Sequence, residues 1–335
     1  MTTGSRSIEI DVGRDAVWRL LVGEGRHDWY YRLSPQGEFA AGSHVKWFDI
    51  QGNIAEESEV IEVEPPARLV LKTRFMFAPV FAAAAPHAVT WELAEHGGRC
   101  HVTMRWDAEA PAERLLASEA DAQLQGLRLA ADPVARAGLQ RLDSIGPIEV
   151  RMVTPERASD YLEFFDNHAF RDFPEWQSCY CIETHRTEDD DQWAARTAGD
   201  NRREMYESIK RGSVTGLLAY EGDKPIGWCN YGETIRLAGM VRKLNLDLTD
   251  HDGVGSVACF VIAAPYRGHG VASMLLDSAI DNLRARGAKA VEGYPRRSED
   301  SPQSNYRGPL AMFLRAGFEP YHEAGSHLIL RKSLA

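Results

Sequence analysis

The sequence contains no long hydrophobic run. The nearest approach, residues 75–85, is eleven residues long and includes Pro79, whereas a membrane-spanning helix needs ~18 or more apolar residues. The N-terminal residues also lack the basic segment followed by an apolar one that marks a secretory signal. We therefore expect neither a membrane protein nor a secreted one.

Cysteine is scarce, and basic charge is not in excess. Five cysteines among 335 residues do not resemble a disulfide framework, which favours a reducing, cytoplasmic location. The 38 Lys and Arg are outnumbered by 49 Asp and Glu, so the formal net charge is -11. Because nucleic acids and anionic membranes are bound by clustered basic residues, we expect neither as a partner. The acidity weakly favours cationic small molecules.

The composition that is present is ordinary for a folded chain, with 44% hydrophobic and 26% charged residues. A length of 335 residues predicts two domains, since one domain takes ~100–200 residues. The clearest seam is residues 143–147 (DSIGP), where Gly146 and Pro147 stop a helical pattern and a strand pattern begins at Ile148. We predict one domain at residues 1–146 and a second at residues 147–335.

The first predicted domain contains a strand, a helix, several strands and then helices. Residues 8–12 alternate with the period of a half-buried strand, and residues 17–21 have the apolar spacing of a helix. After Pro111 the pattern is helical, and the pair Asp132-Pro133 predicts that one helix ends and another begins there. This order predicts an α+β fold. Further strands are predicted at residues 44–48, 59–63, 68–75, 88–93 and 99–106.

In this order of elements, the first domain resembles the START/Bet v 1-like (SRPBCC) superfamily, in particular its Aha1-related branch. The resemblance is carried by residues 8–12 (IEIDV), 16–18 (AVW), 59–66 (EVIEVEPP), 68–70 (RLV) and 89–93 (VTWEL). It implies a helix-grip fold, in which a curved antiparallel sheet surrounds a C-terminal helix and leaves a cavity for a hydrophobic small molecule. The apolar segment 75–86 is a candidate lid over that cavity. Aromatic residues that either line it or simply pack are Trp29, Tyr30, Tyr31, Trp47, Phe48, Phe75, Phe77, Phe81 and Trp91.

The second predicted domain alternates helices and strands. Residues 148–153 predict a strand before a helix at 155–165, and residues 214–231 predict a hairpin. The most informative segment is residues 257–276 (VACFVIAAPYRGHGVASMLL), which contains an apolar strand, a glycine-rich turn and the start of a helix. Glycines let the backbone approach an anion closely, and the free N–H groups and dipole of a helix N-terminus favour a phosphate.

The spacing Arg267-x-x-Gly270-x-Ala272 after an apolar strand resembles the pyrophosphate-binding motif of the GNAT family of N-acetyltransferases. Residues 312–318 (MFLRAGF) and 328–332 (LILRK) resemble a later helix and the last strand of that family. The resemblance implies a mixed α/β sheet and acetyl-CoA, or a close acyl-CoA, as the donor. It further implies that the pantetheine amides pair with the backbone of Phe260, Val261 and Ile262. The residues implied to wrap the pyrophosphate are Arg267, Gly268, His269, Gly270, Val271, Ala272 and Ser273.

The implied reaction is direct attack of a bound amine on the thioester, so proton handling and positioning are left to the protein. Glu292 and Glu233 are the best-placed candidate bases; each is otherwise a solvated carboxylate at a strand end, and a water relay is a further alternative. A tyrosine that often protonates the departing thiolate in the family falls at Phe313, which has no proton to donate. Tyr306, seven residues earlier, is the candidate substitute.

Four potential ligands alternate in the segment Cys179, Cys181, Glu183 and His185, which would share one face if the segment were a strand. Such a set could hold a metal ion. However, the sequence shows no second ligand cluster, and free cysteine is most often a buried packing residue. We therefore predict packing, and no metal site.

These observations predict a cytoplasmic enzyme in which a ligand-binding domain is fused to an acyl-CoA-dependent N-acetyltransferase. The acceptor is a small amine, expected to enter between the hairpin, residues 176–185 and residues 296–307. The alternative is a non-catalytic sensor of acetyl-CoA and a hydrophobic ligand, which Phe313 favours. A third possibility, a co-chaperone-like interaction module, depends on the Aha1-related resemblance alone.

Overall fold

A computed structural model describes residues 1–297 and 305–334 of the protein. They form two compact units, which are described separately. The first unit contains residues 1–139 together with 172–178 and 188–200, and the second contains residues 140–171, 179–187 and those from 201 onward. Two short segments from beyond residue 146 therefore pack with the first unit, and the domain boundary at residue 146 stays a prediction.

The first unit is built on a seven-stranded antiparallel sheet with the strand order β1-β7-β6-β5-β4-β3-β2. Its strands are β1 (Thr2–Ile10), β2 (Ser34–Gln36), β3 (His44–Phe48), β4 (Ile54–Glu64), β5 (Arg68–Phe75), β6 (His87–His96) and β7 (Arg99–Ala108). Its helices are α1 (Arg14–Val22), α2 (Pro79–Ala82), α3 (Ala112–Ala131) and α4 (Pro133–Ala137), joined by α6 (Asp190–Ala194) from the later segment.

The core of the first unit lies between the sheet and α3. In β7 the buried residues alternate with exposed or half-buried ones, as expected for a strand with one face on the core. The buried stripe of α3, formed by Leu116, Ala120, Leu124 and Leu127, repeats at helical spacing and packs towards β1 and β7. The helix-grip architecture predicted from the sequence is confirmed.

The predicted helix break at Asp132 is also confirmed. The backbone of Asp132 is extended, and its carboxylate accepts hydrogen bonds from the N–H groups of Val134 (2.8 Å) and Ala135 (3.2 Å). Pro133 occupies the first helical position, where it loses no hydrogen bond. A cap of this kind stabilises a helix start by about 1 kcal/mol.

The second unit contains a seven-stranded mixed sheet with the order β13-β14-β12-β11-β10-β9-β8. Only β11 and β12 pair in parallel. The strands are β8 (Ile148–Met152), β9 (Gly216–Glu221), β10 (Lys224–Glu233), β11 (Val254–Ile262), β12 (Ala290–Gly293), β13 (Glu319–Ala324) and β14 (His327–Ser333). The helices are α5 (Ala158–Asn167), α7 (Ala198–Lys210, whose first turn lies in the first unit), α8 (Ala238–Leu244), α9 (Val271–Ala285) and α10 (Leu310–Arg315).

The parallel pairing of β11 with β12 covers only part of β11. It begins at Val254 opposite Ala290 and ends at Val257 opposite Gly293. The remaining residues of β11, up to Ile262, continue to pair with β10 on the other side. One edge of this buried strand is therefore left without a strand partner, directly before the glycine-rich turn. The predicted mixed α/β sheet is confirmed.

The segment with alternating Cys and His differs from the strand considered above. Residues 174–179 and 182–184 form 3₁₀ turns, and between them Tyr180 (φ 43°) and Cys181 (φ 52°) adopt left-handed conformations. Left-handed backbone is incompatible with an extended strand, so the four candidate ligands do not share a strand face. In the described part of the chain, no group of three or more His, Cys, Asp or Glu side chains is arranged to hold a metal ion.

Among the helices that the structure describes, none combines the length and the apolar character needed to cross a bilayer. The apolar segment at residues 75–86 instead contains the short helix α2. Phe81 in that helix is buried, and its ring contacts those of Phe75 and Phe77 at centroid distances of 5.9 and 4.9 Å. This part of the segment belongs to the packed interior of the first unit, whereas Phe77 itself is half exposed.

Candidate functional sites

The glycine-rich turn of the second unit connects β11 to α9. Gly268 (φ 77°) and Gly270 (φ 83°) both have left-handed backbone conformations, which only glycine adopts without strain. Gly270 precedes the first residue of α9, and no side chain caps that end of the helix. The first N–H groups of α9, beginning with Val271, therefore have no acceptor within the helix.

Charge at this turn is positive. The Arg267 guanidinium is held by a hydrogen bond from Nε to the carbonyl oxygen of Ile262 (2.9 Å), at the end of β11. A Cβ atom added at Gly270 would have no neighbour within 4 Å, so the space in front of the helix is open. An N-terminal helix end with free N–H groups, an open approach and a nearby guanidinium suits a phosphate.

Sequence reasoning missed a second cation at the turn. Arg141 donates from Nη2 to the carbonyl oxygen of Gly268 (3.2 Å), and its Nε lies 3.4 Å from Nε2 of His269. The same His269 nitrogen is 2.9 Å from the carbonyl oxygen of Leu142. Arg141 precedes the turn by more than 120 residues, and no pattern in the sequence connects the two.

The unpaired edge of β11 is in contact with residues 305–308. The N–H of Phe260 donates to the carbonyl oxygen of Tyr306 (2.6 Å), and Nη1 of Arg307 donates to the carbonyl oxygen of Ala258 (3.1 Å). Phe260 is one of three residues whose backbone is implied to pair with pantetheine, beside Val261 and Ile262. In this structure its N–H already has a partner within the chain.

Glu292, a candidate base, is fully buried in β12. Arg331 approaches Oε1 with Nε at 2.9 Å and Nη2 at 2.8 Å. Oε2 accepts from the Tyr294 hydroxyl (2.8 Å) and lies 3.1 Å from Nε2 of His251. Burial, and then the charge of Glu292, raise the pKa of Tyr294 well above its usual value, so this phenol remains a donor. Both oxygens of Glu292 are therefore engaged.

The other two candidates for proton transfer differ from Glu292 and from each other. Glu233 is exposed and forms an ion pair with Arg236 (3.0 Å), one helical turn away. The ring of Tyr306 is flanked by the cationic groups of Arg307 (5.0 Å) and Lys243 (5.9 Å). At the position of the absent tyrosine, Phe313 is fully buried.

Arg307 is the centre of a cationic cluster in the second unit. Its side chain is 1% exposed, and no carboxylate of the described residues lies within ion-pair distance. Burial, together with the charges of Arg307, Arg296 and Lys243, lowers the pKa of His327 to about 4, so that imidazole is neutral at pH 7. Residues 298–304 of the predicted acceptor entrance lie outside the described residues.

Three cysteines of the second unit, Cys181, Cys229 and Cys259, are buried, whereas Cys179 is half-buried. Contact with the thiol of Cys259 and with the Trp228 and Asn230 side chains lowers the pKa of Cys181 despite its burial. The Asn230 amide nitrogen also lies 2.9 Å from Nε2 of His185, whose pKa burial lowers to about 4. These contacts place Cys181 and Cys259 in the packed interior.

The first unit contains a cavity between its sheet and α3. The cavity is partly open to solvent. Five of the nine aromatic residues proposed as lining do line it, namely Trp29, Tyr30, Trp47, Phe75 and Trp91. The other lining residues are Leu21, Glu56, Leu69, Leu71, Thr73, Val89, Met104, Leu116 and Gln123. Sequence reasoning missed the one carboxylate among them, Glu56.

Two family models match the chain, each over one region. Residues 162–298 match the acetyltransferase (GNAT) family. Residues 11–128 match the activator of Hsp90 ATPase homolog 1-like proteins. Both resemblances seen in the sequence are therefore confirmed at the level of domains. No curated protein matches the chain at a significant level.

Solved structures with similar folds are distant. An N-acetyltransferase (PaiA) from Thermoplasma acidophilum, in complex with coenzyme A, is 15% identical with a TM-score of 0.35; the match covers 56% of this chain and 99% of that one. The Aha1 dimer from Colwellia psychrerythraea is 14% identical with a TM-score of 0.33, over 40% and 98% of the two chains. CalU16 from Micromonospora echinospora is 18% identical with a TM-score of 0.32. That match covers 38% of this chain and 65% of CalU16.

Proposed function

We propose that the protein is an acyl-CoA-dependent N-acetyltransferase that transfers an acetyl group from acetyl-CoA to a small amine. The observation that carries this proposal is the turn at residues 267–273, which places a guanidinium, two left-handed glycines and an uncapped helix N-terminus together. The turn lies within the region that matches the acetyltransferase family. We further propose a cytoplasmic location, a division of the chain near residue 146 and a hydrophobic ligand for the first domain.

In this proposal, the diphosphate of the donor is held by the N–H groups at the start of α9 and by Arg267. Arg141 adds a second positive charge at the same turn. The backbone of Phe260, Val261 and Ile262 would pair with the amides of the donor. Because the N–H of Phe260 is bonded to the Tyr306 carbonyl, the donor has to displace residues 305–308 or use the neighbouring groups of β11.

Three side chains are candidates for proton transfer in this reaction. Glu233 is exposed to water within its ion pair with Arg236, so it would act as a base directly. Glu292 would act only through Tyr294, because both of its oxygens are engaged. Tyr306, whose carbonyl oxygen is bonded to the N–H of Phe260 in β11, would serve as the acid that protonates the thiolate.

A second candidate function, a sensor that binds acyl-CoA without turnover, is favoured by two observations. Phe313 is buried and carries no proton to donate. In addition, Tyr306 and Arg307 are bonded to the edge of β11 at which the donor would pair. Release of free thiol from acetyl-CoA in the presence of a panel of amines separates the two functions.

The donor site is tested by calorimetric titration of acetyl-CoA into the purified protein. We expect micromolar binding, and at least a 100-fold loss in a variant carrying Arg267→Ala and Gly270→Asp, since Asp adds an anion and strains a left-handed position. Arg141→Ala should weaken binding by up to about fivefold, as expected for one exposed charge. Arg284→Ala, at the other end of α9, is the matched control. No binding by the folded wild-type protein would overturn both functions.

A further inference from the structure

The walls of the first-unit cavity are aromatic. Trp29 contacts Trp91 edge to face at a centroid distance of 6.1 Å and lies 5.3 Å from Tyr30, which in turn lies 5.3 Å from Trp47. All three indoles are buried, and all four rings line the cavity. Indole and phenol faces are electron-rich, so they attract flat apolar groups and also cations.

One carboxylate interrupts this apolar lining. Glu56 of β4 is 6% exposed and lines the cavity. Its Oε1 accepts a hydrogen bond from the Tyr30 hydroxyl at 2.8 Å. Across residues 1–297 and 305–334, no other hydrogen bond and no ion pair reaches the Glu56 carboxylate. Burial raises its pKa to about 7, which the Tyr30 hydrogen bond opposes.

A second acceptor faces the same cavity from the helix side. Gln123 of α3 is 5% exposed, and its Oε1 atom is buried without a hydrogen-bond partner in the described structure. Burying an oxygen that accepts no hydrogen bond is unfavourable. The cavity therefore combines aromatic walls with two oxygens, on Glu56 and Gln123, that both require a donor.

We propose that this cavity binds an organic amine, with its aromatic or aliphatic body between the indoles and its protonated nitrogen donating hydrogen bonds to Glu56 and Gln123. This inference specifies the hydrophobic ligand proposed above for the first domain. It does not require that the second domain transfers acetyl groups.

The chemistry of the lining decides between ligand classes. A carboxylate or phosphate would bring like charge against Glu56 in a site of low dielectric, which is unfavourable. A neutral hydrocarbon would leave Glu56 and Gln123 unsatisfied. An ammonium group neutralises the carboxylate, supplies several N–H donors and is attracted by the aromatic faces.

The test compares three probes of similar shape: 2-phenylethylamine, 2-phenylethanol and 3-phenylpropionate. Binding to the full-length protein is measured by calorimetry, and by quenching of tryptophan fluorescence, since three tryptophans line the site. The amine is expected to bind at least tenfold more tightly than the alcohol, and the carboxylate more weakly still. Equal affinity of the alcohol and the amine would overturn the proposal.

Matched variants test whether Glu56 and Gln123 contact the bound amine. Glu56→Gln keeps the size of the side chain and should weaken amine binding at least tenfold while changing alcohol binding less than threefold. Glu57→Gln, whose parent residue lies beside it and pairs with Lys46 at 3.3 Å, should leave both affinities within twofold. Gln123→Leu, an independent change on α3, should also weaken amine binding severalfold. Unchanged amine affinity in folded Glu56→Gln and Gln123→Leu would overturn the proposal, whatever the outcome for acetyl-CoA.

Discussion

In the described structure, each unit buries one glutamate in a strand, and the two carboxylates have very different hydrogen-bond partners. Glu292 is enclosed by donors, with Arg331 on one oxygen and Tyr294 and His251 on the other. The Glu56 carboxylate accepts a hydrogen bond from the Tyr30 hydroxyl, and no cation of the described residues pairs with it. A buried charge is tolerated when it is paired and hydrogen-bonded, and otherwise it is neutralised by a proton or a ligand. The comparison therefore favours a structural part for Glu292 and supports the proposed part of Glu56 in binding an amine.

The largest expected effect is on stability at Glu292. Glu292→Gln leaves the Arg331 guanidinium without its buried partner, so we expect the free energy of unfolding to fall by about 3 kcal/mol. Urea denaturation at pH 7 measures it. Glu233→Gln, at an exposed ion pair, is the control and should change stability by less than about 0.5 kcal/mol. A stable Glu292→Gln protein that has lost only acetyl transfer would instead favour Glu292 as the base.

The pH dependence of the free energy of unfolding should reveal the raised pKa of Glu56. Its pKa is raised to about 7 when folded, above the ~4.3 of an unfolded glutamate. Because the folded state then binds more protons, the contribution of this carboxyl is fully present below about pH 4.3 and is lost as the pH rises through about 7. The loss is roughly 3–4 kcal/mol in total, of which about 2 kcal/mol falls between pH 5.5 and 8. The measurement is denaturation of the wild type at pH 5.5 and 8 beside Glu56→Gln, in which this loss should disappear. Glu57→Gln should retain it, and an identical pH slope in all three proteins would contradict the assignment.

The smallest expected effect concerns the hydrogen bond between Tyr30 and Glu56. Tyr30→Phe removes a donor that favours the ionised carboxylate, so the pKa of Glu56 should rise further and the loss of stability should extend to higher pH. The net change at pH 7 should be about 1 kcal/mol. The midpoint of the pH profile, from denaturation at several pH values, measures it. A midpoint that moves to lower pH would show that Tyr30 does not stabilise the carboxylate.

The glycine-rich turn at residues 267–273 was predictable because its chemistry is local. Arg267, Gly268 and Gly270 follow one another between an apolar strand and a helix, and the left-handed glycines and uncapped helix end are consequences of that short stretch. The helix break at Asp132 was predictable for the same reason, since the cap and its two N–H donors span four residues. At these two places, the backbone preferences of consecutive residues were sufficient to set the conformation.

Other features were not predictable, because they depend on residues far apart in the chain. The sequence marks Glu292 only as a carboxylate near a strand end, and its role follows from Arg331 and His251, which reach it from other elements. The segment around Cys181 alternates like a strand, yet tertiary contacts of the Tyr180 carbonyl and of Asn230 hold it as two turns. Arg141, which contacts the glycine-rich turn at Gly268, carried no sequence signal at all.

The sequence by itself determined the two kinds of domain, the order of their strands and helices and the glycine-rich turn, since these follow from hydrophobic periodicity and the conformational limits of glycine and proline. Only the tertiary structure decided which carboxylates are paired and which face a cavity. Pairing and desolvation depend on side chains that approach from different strands and helices, such as Tyr30 and Gln123 around Glu56. Those distances are set by packing, which no local pattern records.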